Sequence, residues 1–324
     1  MLLSDDVPMA TRADPAFRAD VLAGLSLPQK AIPARWFYDR KGSELFEDIT
    51  ALPEYYPTRA ETAILKTICP ELVGAIGEGV AVVEFGSGSS VKTPILLNCI
   101  EPAAYVPIDI SGDFLRSSSA VLAGQFPGLP VLPVEADFMH PVPLPAEVAD
   151  MPKLGFFPGS TIGNMEPLAA GTLLRAMRDW LGEGAMLLIG IDRVKDEQTL
   201  VAAYDDAAGV TAAFNLNLLD RINRELAGTV PVEAFVHEAR WNDDAARIEM
   251  HLRTTRDLDF AVDGRSFAMR AGETIHTENS HKYGDRDARL LLRSGGWTPL
   301  QQWCGEDGAF CVILAEAKKV PIAP

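Results

Sequence analysis

Residues 82–93 read V-V-E-F-G-S-G-S-S-V-K-T. An apolar run ends at Gly86, a glycine-rich turn follows, and a Lys-Thr pair closes it. Three nucleotide readings compete: a phosphate-cradling loop, a dinucleotide turn and an adenosylmethionine turn. The phosphate loop G-x-x-x-x-G-K-[ST] needs glycine at position 91, and the G-x-G-x-x-G turn begun at Gly86 needs it there too. The residue is Val91. A β-branched side chain adopts positive φ only at a cost, and its Cβ blocks backbone approach to phosphate. Both phosphate readings therefore fail. What remains is E-x-G-x-G after a strand, carried by Glu84, Gly86 and Gly88. Such a turn is tight and free of side chains, so a nucleoside without phosphate can lie against its backbone.

Working outward, apolar runs predict strands at 80–85, 103–110, 130–134, 154–157 and 185–191. Helical patterns fill 61–76, 94–100, 114–126 and 167–181. Alternation of this kind predicts a parallel sheet with helices on both faces. The regularity then breaks. Residues 200–226 read as helical throughout, and strands are expected at 235–241, 247–254, 265–270 and 274–282. A helix at 285–294 and strands at 297–303 and 309–315 follow, joined by the hairpin signal Gly305-Glu306-Asp307-Gly308. Near the start, Asp14-Pro15 is a helix start. The aromatic, proline-punctuated stretch 36–57 is too irregular for a long helix.

A parallel sheet that closes with a helix and an antiparallel hairpin has the order of a class I, Rossmann-like methyltransferase sheet. The expected fold is thus α/β, with an α+β substrate-binding unit inserted between the fifth and sixth strands. The cofactor domain is placed at 61–196 plus 285–324, and the substrate domain at 1–60 plus 197–284. Ligands in open α/β sheets sit at the strand C-termini. Asp109 ends the second strand and is placed to accept ribose hydroxyls. Asp137-Phe138 follows the third and suits an adenine amino group beside an aromatic wall.

Composition narrows the partners. The chain has 324 residues, 48% hydrophobic, with a net charge of −16. A phosphate-neutralising basic face is not visible, so nucleic acid is not expected. Cys69, Cys99, Cys304 and Cys311 show no C-x-x-C pairing and read as small apolar residues in a reducing compartment. The five histidines form no H-E-x-x-H motif, so no metal is expected. No run reaches the roughly 18–20 apolar residues that span a bilayer. The N-terminus lacks a basic n-region and a long apolar core, so a signal peptide is not expected. The expectation is a cytoplasmic monomer that acts on a small molecule.

The segments W-F-Y-D-x-x-G-S-x-L-F, L-P-E-Y-Y-P-T-R, E-F-G-S-G-S-S-x-K-T, F-P-G-S-T-I-G-N, A-Y-D-D-A-A-G-V-T-A-A-F-N-x-N and I-E-M-H-L together resemble the L-histidine Nα-methyltransferase family of ergothioneine biosynthesis. The resemblance runs over about 20–315. It implies three successive methylations of the histidine α-amine by S-adenosylmethionine, giving hercynine and S-adenosylhomocysteine. It implies Gly86, Lys92, Asp109, Asp137 and Phe138 for the cofactor. Tyr55, Gly159, Asn164 and Tyr204 would hold the carboxylate and amine, and Tyr38, Met250, Glu278 and Ser280 would line the imidazole pocket. Tyr38, Tyr55 and Asn164 are the residues expected to orient the amine.

The residues themselves bear on this unequally. Asn164 follows two glycines after the fourth strand, and its amide both donates and accepts. Glu278 and Ser280, two apart in a strand, share a face. Met250 by itself reads as plain core, and His276 and His281 as members of a solvated face. Three alternatives stay open: a relative with another side-chain preference, such as tryptophan; a methyltransferase acting on a histidine-like thiol or a dipeptide; and a non-catalytic cofactor-binding regulator.

Overall fold

The computed structural model describes residues 14–88 and 92–318. Val91 and the N-terminal segment judged for a signal lie outside them. The described residues open with α1 (Pro15–Leu25), whose N-cap Asp14 accepts a hydrogen bond from the Ala16 amide at 2.7 Å. The short β1 (Lys30–Ala31) and a 3₁₀ turn at Ala34–Phe37 follow. The irregular aromatic stretch then forms α2 (Arg40–Ala51), started by Asp39, which accepts from the Gly42 amide. This 12-residue helix is more regular than its sequence predicts. Its short length suits the prolines, which fall after it. Next comes α3 (Tyr56–Ile76).

The expected alternation comes next: β2 (Ala81–Phe85), α4 (Thr93–Ile100), β3 (Ala104–Asp109), α5 (Gly112–Gln125), β4 (Val134–Glu135), β5 (Lys153–Phe157), α6 (Pro167–Leu181) and β6 (Met186–Asp192). Only β4 falls well short of its predicted length. The third-strand segment makes a single bridge from Val131 to Tyr105 before the two-residue strand begins.

The later part comprises α7 (Glu197–Ala202), α8 (Val210–Glu225), β7 (Phe235–Asn242), β8 (Arg247–Thr254), β9 (Leu258–Val262), β10 (Arg265–Met269), β11 (Thr274–His281), α9 (Asp285–Ser294), β12 (Trp297–Cys304) and β13 (Phe310–Ala317). β9 has no counterpart in the sequence reading. It pairs with β10 in a separate hairpin across Asp263-Gly264, both at positive φ.

The main sheet has the order β12-β13-β6-β5-β2-β3-β4. Strands β4, β3, β2, β5 and β6 are parallel, and β13 and β12 close the sheet antiparallel. This is the class I methyltransferase order, with the switch point between β2 and β5. All five residues of β2 are buried, as a central parallel strand covered on both faces requires. Alternation sends Val83 and Phe85 into one core and Val82 into the other. A second, four-stranded sheet has the order β1-β11-β8-β7. Its core joins Phe17, Val21 and Phe37 of the N-terminal segment to Leu218, Met250, Leu252 and Ile275 of the insertion.

Two expectations are overturned here. The cysteines are paired, Cys69 with Cys99 and Cys304 with Cys311. Folding brings α3 against α4, and the β12–β13 hairpin sets Cys304 opposite Cys311, so contacts invisible in spacing unite them. Of the four, only Cys311 is buried. Residues 200–226 are not one helix. Asp206 accepts from the Val210 and Thr211 amides at 3.0 and 2.8 Å and so starts α8 afresh, and Gly209 at φ +75° completes the break. The break carries Tyr204.

Among the described residues no helix is long and apolar enough to cross a membrane. Replacing Asp206 removes both caps of α8. Asp206→Ala is expected to cost about 1–2 kcal/mol, read as a lower urea midpoint with unchanged slope.

Candidate active site

A single cavity of about 860 Å³ runs from the C-terminal edge of the main sheet to the inner face of the second sheet. It is within the size range of cofactor and substrate sites. Strand ends build its first half. Gly86, at φ +72°, turns the chain immediately after β2, and a Cβ there would meet the Phe138 ring at 3.4 Å. Phe138 stands edge-on to Phe85 and Phe157. Asp109, ending β3, accepts from the Gly88 amide at 3.1 Å and the Ser111 amide at 2.8 Å. Each of its oxygens keeps a lone pair for a further donor. Burial raises its pKa.

Asp137 also lines the cavity, but one of its oxygens accepts from Arg35 at 2.8 Å, and Arg35 reaches back to Asp20 at 2.7 Å. The N-terminal segment thus lies across this end of the site, a contact that no local pattern announces. Glu84 proves to be a strut: its carboxylate accepts from Thr93 at 2.7 Å and Tyr105 at 2.6 Å. Burial pushes it up to about 7.

Lys92 lines the cavity and is ion-paired to Glu61, a fully buried carboxylate on α3. The same Glu61 oxygen accepts from the Gly159 amide at 2.8 Å. Sequence reasoning missed Glu61, although a lone acid on the buried face of α3 is a detectable signal. It ties the first glycine turn to the second, Pro158-Gly159-Ser160. There Gly159 and Ser160 both take positive φ, at +79° and +56°, and the turn leads into the short helix that ends at Asn164.

The other half of the cavity is aromatic. Tyr38, Phe46, Tyr55 and Tyr204 line it and touch edge to face, with ring centroids 5.6–6.2 Å apart. Phe46 belongs to this cage and was not foreseen. The phenols of Tyr38, Tyr55 and Tyr204 are pushed well above the usual tyrosine range, first by burial and then by nearby carboxylates and phenols. At neutral pH they stay protonated.

Glu278 faces the cage from β11. A bulge at Thr277 shifts the register, so that His276 pairs with His251 on the outer face and Glu278 with Met250 on the inner one. The Thr277 hydroxyl donates to the Met250 carbonyl at 3.1 Å and fixes the bulge. Burial raises the Glu278 carboxyl to about 7, and the Lys282 charge opposes the rise.

Met250 and Ser280 share this inner face but are 1% and 2% exposed and do not reach the cavity wall. Met250 is core behind Glu278. The Ser280 hydroxyl is 2.7 Å from that of Tyr204 and accepts from Lys282 at 2.8 Å. His281 is not on a solvated face. It is buried, and its Nδ1–H donates to the Gly163 carbonyl at 2.9 Å, holding the Asn164 turn against β11. On the outer face Glu249, His251 and His276 gather. Their polar atoms engage one another and Arg247, Asn242 and the Glu278 carbonyl.

A strand-end nucleoside cradle that opens into an aromatic cage with a carboxylate at its far wall suits transfer from a nucleoside cofactor to a small cationic or amine substrate. Comparison with known proteins agrees. Residues 17–317 match the family described as histidine-specific, SAM-dependent methyltransferases. A histidine N-alpha-methyltransferase of Mycolicibacterium smegmatis is 41% identical, over 94% of this chain and 96% of that protein. Its counterpart from Mycobacterium tuberculosis is 39% identical, over 93% and 94%. The ergothioneine biosynthesis protein 1 of Neurospora crassa is 29% identical over 85% of this chain, which spans 32% of that longer protein. The chain belongs to the family of SAM-dependent, histidine-specific methyltransferases.

Proposed function

We propose that this protein methylates the α-amino group of L-histidine three times to give hercynine, a step of ergothioneine biosynthesis. The observation that carries the reading is the placement of Glu278 at the far wall of an aromatic cage that opens onto the strand-end nucleoside cradle. The residues fit the cofactor. Asp109 offers lone pairs to ribose hydroxyls, Asp137 and Phe138 flank adenine, and the bare Gly86 admits the nucleoside beside Phe138. Lys92, balanced by Glu61, faces the cofactor carboxylate. Bound S-adenosylmethionine supplies an electrophilic methyl group.

The protein's work is then alignment. The nucleophile is a neutral amine whose lone pair must point along the line of displacement. Tyr55, Gly159, Asn164 and Tyr204 hold the amino-acid end, and Tyr38, Tyr55 and Asn164 orient the amine. The tyrosines, held as phenols, orient without deprotonating. The proton passes to water. The rings also attract the growing ammonium through their faces. Glu278 selects the side chain, because an ionised carboxylate left unpaired by an apolar side chain is costly.

Incubation with labelled S-adenosylmethionine and a panel of amino acids is expected to add three methyl masses to histidine alone. Turnover of tryptophan instead would refute the assignment of the side chain. Glu278→Ala is expected to lower kcat/KM for histidine by about 100-fold, and a change under threefold would count against its role. Glu278 is raised to about 7, so the anion dominates above that pH and the neutral acid below it. The need for a neutral amine already lowers kcat/KM for histidine roughly tenfold per unit towards acid pH; protonation of Glu278 should steepen that fall below about pH 7, and Glu278→Gln should remove the steepening. Gly86→Ala places a side chain at φ +72° against Phe138. It is expected to weaken S-adenosylhomocysteine binding at least about tenfold by calorimetry, with the circular dichroism spectrum retained.

A further inference from the structure

The methyl-transfer reading leaves one buried charge without a role. The Lys282 side chain is wholly buried. Its ammonium donates to Asp192 Oδ2 at 2.7 Å, Ser280 Oγ at 2.8 Å and Tyr204 Oη at 3.0 Å. An ammonium has three donors and no acceptor, so this one is saturated. It also stands 4.7 Å from the centre of the Tyr204 ring.

Two consequences follow. The Ser280 and Tyr204 oxygens each accept from Lys282 and lie 2.7 Å apart. One hydroxyl proton is used between them, and the other must point away from the ammonium. The second consequence concerns charge. Asp192 is shared by Lys282 and Lys195, whose ammonium is 2.6 Å from the other oxygen. Asp307 also acts on Lys195, whereas Asp192 is the one carboxylate that Lys282 itself touches among the described residues. Glu278 and Ser280, with Lys282 just beyond the strand end, follow the alternation of β11, so the carboxylate nearest in sequence on that face is Glu278.

We propose that Lys282 is a positioning residue for the substrate: it supplies the counter-charge of Glu278 and fixes the Ser280–Tyr204 hydroxyl pair behind the cage. The proposal rests on the reading that Glu278 receives the imidazole. The direction of the Lys282 effect on Glu278 agrees with it, since the cation lowers a carboxyl that burial raises.

The test is Lys282→Met in the full chain, with Glu278→Gln and the double variant. Histidine turnover by the unmodified protein and its loss in Glu278→Gln, measured in the same series, report separately on the substrate reading. For Lys282→Met, S-adenosylhomocysteine affinity should stay within about twofold, because that ligand binds at the other end. The histidine KM should rise at least about tenfold, and the acid-side inflection of kcat/KM should move up by about one pH unit. An unchanged KM with an unmoved inflection would overturn the proposal.

The double variant is charge-balanced and keeps the test open if Lys282→Met does not fold. Its loss in kcat/KM should fall well short of the product of the two single losses, because the counter-charge has nothing left to balance and only the Ser280–Tyr204 effect remains. A loss equal to the product of the two single losses would overturn the proposal. So would a double variant that fails to fold, since that would mark Lys282 as purely structural.

Discussion

Asp192 is the point on which the two halves of this molecule turn. It ends β6 and is fully buried. Its oxygens accept from the Tyr56 hydroxyl at 2.8 and 3.0 Å, from Lys195 at 2.6 Å and from Lys282 at 2.7 Å. Its amide donates to Ser160 Oγ at 2.9 Å. A buried carboxylate is tolerable only when paired and hydrogen-bonded, and its pKa is held low by the two lysines against burial. The partners come from different places: Tyr56 from the start of α3, Lys195 from the segment leaving the sheet, Lys282 from the return at the end of β11. Three segments that cross between the nucleoside half and the cage half near β6 are thereby tied to one carboxylate. Replacing such a cluster by apolar residues is often neutral for stability. Its worth here lies in register, because a shift of β11 would carry Glu278 away from the cage.

Glu61 does the same for the other crossing. One of its oxygens receives both Lys92 and the Gly159 amide, so the glycine turns after β2 and β5 are held at a set separation across the switch point. Gly190 makes room for it, since a Cβ there would come within 2.1 Å of the carboxylate. Gly163 allows the third close approach, to the His281 carbonyl, where a Cβ would lie at 2.7 Å. The site is therefore a set of backbone turns held together by buried acids.

Much of this was legible in the sequence, and for identifiable reasons. The main sheet was readable because its central strands β2, β3, β5 and β6 are buried and mostly apolar, and because β2 runs into a glycine and β3 and β6 end in an acid. Gly86, Asp109, Asp137, Phe138, Gly159, Asn164, Tyr204 and Glu278 all reach one cavity. Positions defined by strand ends are fixed once the fold is. Ser280 and Met250 shared the right face and fell short of the cavity, because alternation gives direction and not depth. The helix break at Asp206 was misread because helical sequence flanks it on both sides and outweighed the weak helix formers Asp205, Asp206 and Gly209, and the cap works only once the chain has turned. The two disulfides, Glu61 and the Arg35–Asp137 contact were not readable. Each joins segments far apart in sequence, and nothing local marks the partner.

The remaining constraint is the charge of the ligand, which changes while the site does not. The amine must be neutral when it attacks, yet the last product is a permanent cation. A carboxylate placed against the amine would favour its protonated form and stop the reaction. On the proposed reading the cage instead surrounds that position with neutral rings, whose faces attract a cation without accepting its proton. The tyrosines keep their protons because burial and the nearby Glu278 both disfavour phenolate. Glu278, the acid that raises them, stands on β11, and on the proposed reading it receives the imidazole. On that reading one carboxylate selects the substrate at one end and holds the phenols neutral at the other, provided that its own charge is kept, which is the part proposed for the buried lysine two residues beyond Ser280.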